Sequence, residues 1–124
     1  MEPKKKNPAP PKEQPQVKKE IIGEVPQEQI AKWKNKYPSG IFALFVEDDD
    51  GNTHVTYARK PDVEALSAAG EYAESDPFKS GDILFNTLCL GGSHEIRFND
   101  EMKIGVIKEL KKLFKVKKAE VKKL

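Results

Sequence analysis

Cysteine is almost missing from this sequence. Cys89 stands alone, which excludes an intramolecular disulfide and fits a reducing compartment. Histidine is nearly as scarce, with only His54 and His94. Those two and Cys89 make a poor zinc set, since three or four well-placed protein ligands are the rule. No apolar run approaches the ~20 residues that cross a bilayer. The early lysines are followed by prolines and glutamines where a signal peptide needs an apolar stretch. Export and membrane insertion are therefore not expected, and the sequence reads as that of a soluble cytoplasmic protein. Arginine does not occur after Arg97.

What is present is charge, unevenly placed. The net charge is +2 over 124 residues. Residues 1–25 carry six Lys against four Glu, and residues 26–100 five Lys and two Arg against thirteen acids. Residues 101–124 carry nine Lys against three Glu. An acidic body thus meets a basic end, an arrangement that suits an acidic partner or head-to-tail self-association.

Six of the nine prolines lie in residues 1–26, among Lys, Glu and Gln. Such a segment has too few apolar side chains to offset its ordering entropy, so residues 1–25 are predicted to be a disordered tail. Ile21 and Ile22 are expected to tack its end onto the body. Residues 26–124 then form one α+β domain of about 100 residues. It consists of a β-hairpin packed with about four helices.

Pro26 is a good first helical residue, Ile30, Trp33 and Tyr37 follow at helical spacing, and Pro38 stops the helix. Ile41–Val46 and Thr53–Arg59 flank an Asp/Gly/Asn turn and read as the hairpin. The first strand is apolar throughout, which predicts cover on both faces; the second alternates, which predicts half-exposure. Pro61 and Asp62 open a second helix with Val63, Leu66 and Ala69 or Gly70 on one stripe. Asp76-Pro77 opens a third, apolar around most of its circumference through Leu90 and ended by Gly91-Gly92. Asn99 or Asp100 caps the last helix. There Met102, Val106, Ile107, Leu110, Leu113 and Phe114 face inward and Lys108, Lys111, Lys112 and Lys115 outward. Residues 116–124 continue it or form a lysine-rich extension.

No constellation for catalysis, cofactor binding or metal binding emerges. Asp48-Asp49-Asp50-Gly51-Asn52 has a superficial calcium-loop look, but such a loop would need Gly at 53 and Glu at 59, where Thr53 and Arg59 stand. Ser93, His94 and Glu95 are the chemical members of a hydrolase triad, yet consecutive residues cannot converge as triad partners do. Ser93 is expected to cap a loop and His94 to lie at the surface. Cys89 is expected to be a buried small hydrophobe in a helix. Gly91-Gly92 follows a helix and lacks the lysine of a phosphate loop, so helix termination is expected there. The lysines of 103–123 have three readings: a solvated helix face, a surface for an acidic protein, or a nucleic-acid contact. Phe114, their only aromatic neighbour, is expected to point inward.

Arg59-Lys60-Pro61, Asp76-Pro77, Leu88-Cys89-Leu90-Gly91-Gly92 with Glu95-Ile96, and a closing amphipathic helix form an ordered series. Over residues 26–124 this order resembles the small tail-assembly-chaperone-type proteins of phages and prophages. The resemblance implies a non-catalytic protein, without cofactor, that assists virion morphogenesis by binding other tail proteins. It carries over no catalytic residues. The expected function is therefore a protein-binding accessory factor of phage or prophage tail assembly, in the host cytoplasm or associated with the virion, with Lys108, Lys111, Lys112 and Lys115 as partner-binding residues. A small nucleic-acid-binding protein using the basic end is the alternative.

Overall fold

The computed structural model describes residues 20–124; for residues 1–19 the expected disorder lies outside the described residues. The elements are α1 (Gln27–Lys36), β1 (Ile41–Glu47), β2 (Thr53–Arg59), α2 (Val63–Gly70), α3 (Pro77–Leu88), β3 (Cys89–Gly92), α4 (His94–Phe98) and α5 (Asp100–Lys112). They form the α+β fold expected, with a third strand and the short α4 added to the hairpin and four helices.

The helix starts follow capping chemistry. The Asp62 carboxylate accepts from the Ala65 N–H at 2.9 Å and Asp76 from the Lys79 N–H at 3.1 Å, with Pro77 in the first turn. Asn99 accepts from the Met102 N–H at 3.0 Å and so is the cap of α5. Each side chain satisfies a donor the helix leaves unpaired.

The sheet is antiparallel in the order β1-β2-β3. On one face Phe42, Leu44 and Val46 pair across with Ala58, Thr56 and His54. Leu44 and Ala58 join Ala65, Ala69, Leu84, Phe85, Leu88, Ile96, Met102, Val106, Ile107 and Leu110 in a single core, so α2, α3 and α5, with the short α4, cover this side. On the other face Trp33 of α1 rests on Tyr57, ring centroids 5.6 Å apart. The sheet is thus a middle layer between α1 on one side and the remaining helices on the other.

Two expectations about the sheet need correction. The hairpin strands exchange roles: β2 is buried from His54 to Ala58, while β1 alternates and leaves Ala43 and Phe45 exposed. β2 is the central strand, flanked by β1 and β3, and Trp33 of α1 lies against its Tyr57 and against Gly91 of β3. Next, the third helix ends at Leu88, and Cys89–Gly92 is strand, antiparallel to β2. Gly91 lies flat beneath the Trp33 ring, which a methyl group would meet at 3.1 Å, and the Thr56 hydroxyl donates to its carbonyl at 3.1 Å. The glycine pair permits close strand packing and does more than stop a helix. The expected tack before Pro26 is present at Ile22. Ile22 bridges to His54, its N–H donating to Thr53 at 2.8 Å and its carbonyl accepting from Val55 at 2.9 Å. Gly23, at φ +100°, presses on Ser93, whose nitrogen a methyl group would meet at 2.2 Å.

α5 ends at Lys112, and residues 114–124 are neither helix nor strand. Phe114, expected on the inner face, therefore lies beyond the helix and is half-buried. Among the described residues no helix is long and apolar enough to cross a membrane.

Candidate functional site

The most exposed apolar side chain on the helical layer is Phe78, 77% accessible in the first turn of α3. It stands there because Asp76 and Pro77 set the helix start, and Ser80, Gly81, Leu84, Phe85 and Leu88 take the buried stripe. Antiparallel to it, α5 buries Met102, Val106, Ile107 and Leu110 and leaves Ile104 on the flank. Gly81 lets the two helices approach: a methyl group at that position would touch Ile107 at 3.2 Å. The outer side of this contact is a groove of about 660 Å³ with Phe78, Ile104 and Ile107 among its walls.

Charges of both signs border the groove. Lys103, Lys108 and Lys111 come from α5, with Lys79, and Asp76, Asp82 and Asp100 intersperse them. Lys103 pairs with Asp82, and its ammonium also lies 5.4 Å from the Phe85 ring centroid. Of the four lysines expected to meet a partner, Lys108 and Lys111 line this groove. Lys112 is exposed and pairs with Glu109 at 2.8 Å, and Lys115 lies beyond the end of α5. The lysines therefore do not form one uniform face.

A second polar cluster lies inside the fold. His54 is fully buried on the core side of β2. Its Nε2 lies 2.8 Å from Asp48 Oδ2 and its Nδ1 2.7 Å from Ser93 Oγ, with Glu95 Oε1 3.7 Å away. The carboxylate accepts, so Nε2–H donates; in the neutral ring Nδ1 then accepts the Ser93 hydroxyl. Asp48 Oδ1 also accepts from the Asp50 and Asn52 amides, both at 2.9 Å, which shapes the hairpin turn. Ser93 begins α4 without a capping hydrogen bond from its side chain, contrary to expectation, because its hydroxyl is engaged with His54. Its own N–H donates to Val55 O at 2.7 Å.

Asp, His and Ser are the residue types of a hydrolase triad, and the structure draws them from three separate elements. The wiring is reversed, however: in a triad the carboxylate takes Nδ1 and the nucleophile Nε2. His54 has no exposed surface and Ser93 only 8%. The arrangement therefore works as a clamp joining the hairpin turn, β2 and the β3–α4 junction. The sequence sets Ser93 beside His94 and Glu95, offers Asp48 for a calcium loop and His54 for a zinc set, and does not show that Asp48, His54 and Ser93 meet. The available signal was period two in β2, which puts His54 on the side of Thr56 and Ala58, where a polar ring must find partners. His94 lies at the surface, edge-on to Phe98 with centroids 5.5 Å apart.

The His54 hydrogen bond, helped by the Asn52 and Asp50 amides, holds the Asp48 carboxyl below its usual range. Because the folded value lies below the unfolded one, the clamp's contribution is complete above the unfolded pKa of about 4 and is lost as pH falls through the folded value. Asp48→Asn should be less stable at neutral pH and show a flatter loss of stability in acid than the unaltered chain. Urea midpoints measured from pH 6 downward, at ~1-unit steps, check this; parallel curves would deny Asp48 that role.

Cys89 is the first residue of β3 and is half-buried, not helical as expected. Burial pushes its thiol up to about 11, so it stays protonated and unreactive at neutral pH. Asp49 and Asp50 are exposed turn residues. Among the described residues no group of three or more His, Cys, Asp or Glu side chains is arranged to hold a metal ion. No protein-family model, curated protein or solved structure matches this chain.

Proposed function

We propose that this chain is a non-catalytic, protein-binding accessory factor, and that the α3–α5 groove receives an amphipathic segment of its partner. The observation that carries this reading is the groove itself: an open apolar floor with Phe78 exposed at its side, bordered by lysines. Apolar anchors in a groove with a charged rim are how proteins capture helical segments. A phosphate backbone asks for a continuous positive track. Here Asp76, Asp82 and Asp100 interrupt the lysines, which favours a protein partner, with acidic residues set opposite Lys108 and Lys111. Phage or prophage tail assembly is the setting proposed, on the order of motifs from Arg59-Lys60-Pro61 to the closing helix.

Replacing Lys108, Lys111, Lys112 and Lys115 with Gln tests it. The four are exposed, so the fold should persist. The expected result is a nuclease-resistant protein complex captured by the unaltered chain and weakened about tenfold or more in the variant, as loss of several rim charges allows. Tight binding to one nucleic-acid sequence at physiological salt, lost in the variant while protein partners are retained, would establish the nucleic-acid alternative instead.

A further inference from the structure

β1 ends the sheet on one side, and among the described residues no strand pairs with its outer edge. Hydrogen-bonding direction alternates along a strand. On β2 the carbonyl of Thr53 and the N–H of Val55 bond to Ile22, away from β1. Residues 54, 56 and 58 therefore face β1, and their partners Val46, Leu44 and Phe42 face back. The amides and carbonyls of Ala43, Phe45 and Glu47 consequently point outward along the open edge. Such edges are ordinarily blunted by proline, lysine or a bulge. β1, Ile41-Phe42-Ala43-Leu44-Phe45-Val46-Glu47, has none of these, and Phe45 is 58% exposed.

The segment 114–124 supplies the complement. It leaves α5 without helix or strand of its own, and Val116, Val121 and Leu124 are exposed. Read with period two, Lys117, Ala119, Val121 and Lys123 share one face, with Lys118, Glu120 and Lys122 on the other. A strand of that pattern beside β1 sets Ala119 and Val121 next to Ala43 and Phe45. Its lysines then meet the exposed Glu47, Asp49 and Asp50 at the hairpin end. We propose that the open edge of β1 binds the 114–124 segment of a second copy of this chain, added as a fourth strand and guided by the acidic turn. Exchange of the two segments between two copies closes a symmetric dimer. The β1 edge is separate from the α3–α5 groove, and the variants used below leave Lys108, Lys111, Lys112 and Lys115 unaltered, so the partner-binding reading and this one are tested apart.

Hydrogen exchange and sedimentation velocity on the full chain, from micromolar to millimolar concentration, decide it. The expected result is association that weakens with salt, with amide protection at Ala43, Phe45 and Glu47 rising with concentration. Lys117→Glu/Lys118→Glu/Lys122→Glu and, separately, Phe45→Lys should each weaken association about tenfold. Mixing the first variant with Glu47→Lys/Asp49→Lys/Asp50→Lys should restore it. All these positions are exposed, and an unchanged melting temperature confirms folding. A chain that stays monomeric at millimolar concentration would overturn the proposal, and so would association indifferent to both variants. Protection of the three amides that is already complete in the monomer would also overturn it, since the chain's own segment would then cover the edge.

Discussion

Truncating Leu88 to Ala is expected to cost about 2–5 kcal/mol of unfolding free energy, the range for emptying a well-packed aliphatic site. Leu88 has no accessible surface and lies in the one core that joins α2, α3 and α5 to the sheet. It is also the last helical residue before β3. The surrounding backbone is therefore held by helix hydrogen bonds on one side and by the sheet on the other, which limits collapse into the vacated space. Two-state urea unfolding gives the number directly. A loss below about 0.5 kcal/mol, the level of an ordinary surface change, would take Leu88 out of the core.

Gly92→Ala should be comparably severe for a different reason. Gly92 sits at φ +132°, where a side chain is strained, and a methyl group would lie 2.4 Å from the Val55 carbonyl oxygen and 2.6 Å from Thr56 Cα. Both are backbone atoms of the central strand, so relief requires parting β3 from β2. Strain and overpacking each cost roughly 1–3 kcal/mol, which together amount to about 2–6 kcal/mol. Gly70→Ala is the matched control, because nothing lies within 4 Å of the added methyl. That substitution should be neutral or stabilise by about 0.4–1 kcal/mol. Equal melting temperatures for the two variants would remove the close approach at Gly92 from the account.

The elements that sequence made legible are those written in local chemistry. Asp62, Asp76-Pro77 and Asn99 start helices because their side chains reach backbone donors three residues on. The hairpin was readable because its turn residues lie between two β-rich runs. β3 was not readable: Cys89–Gly92 is four residues long, half glycine, and continuous with an apolar helix. Its strand character comes from β2, more than thirty residues earlier. The burial of the two hairpin strands was reversed for the same reason, since neither strand's sequence says which of them a third strand will pair with. Of the candidate site, the outward lysines were visible from helical spacing, but their division between groove, ion pair and extension was not. Phe78 escaped notice because a single aromatic in a first turn has no period to betray it. The buried clamp escaped because His54 and Ser93 lie 39 residues apart and meet only once the sheet is built.

No linker separates Leu88 from Cys89: the helix becomes the strand at a single peptide bond. α3, one wall of the groove, and β3 therefore behave as one lever with its pivot at that bond. A displacement of α3 has no slack loop at that bond in which to dissipate. It must be carried into the β2–β3 ladder and on to the Ser93 hydroxyl that holds His54. Close-packed interiors transmit such shifts instead of absorbing them. The groove and the clamp are thus mechanically in series, although no side chain belongs to both.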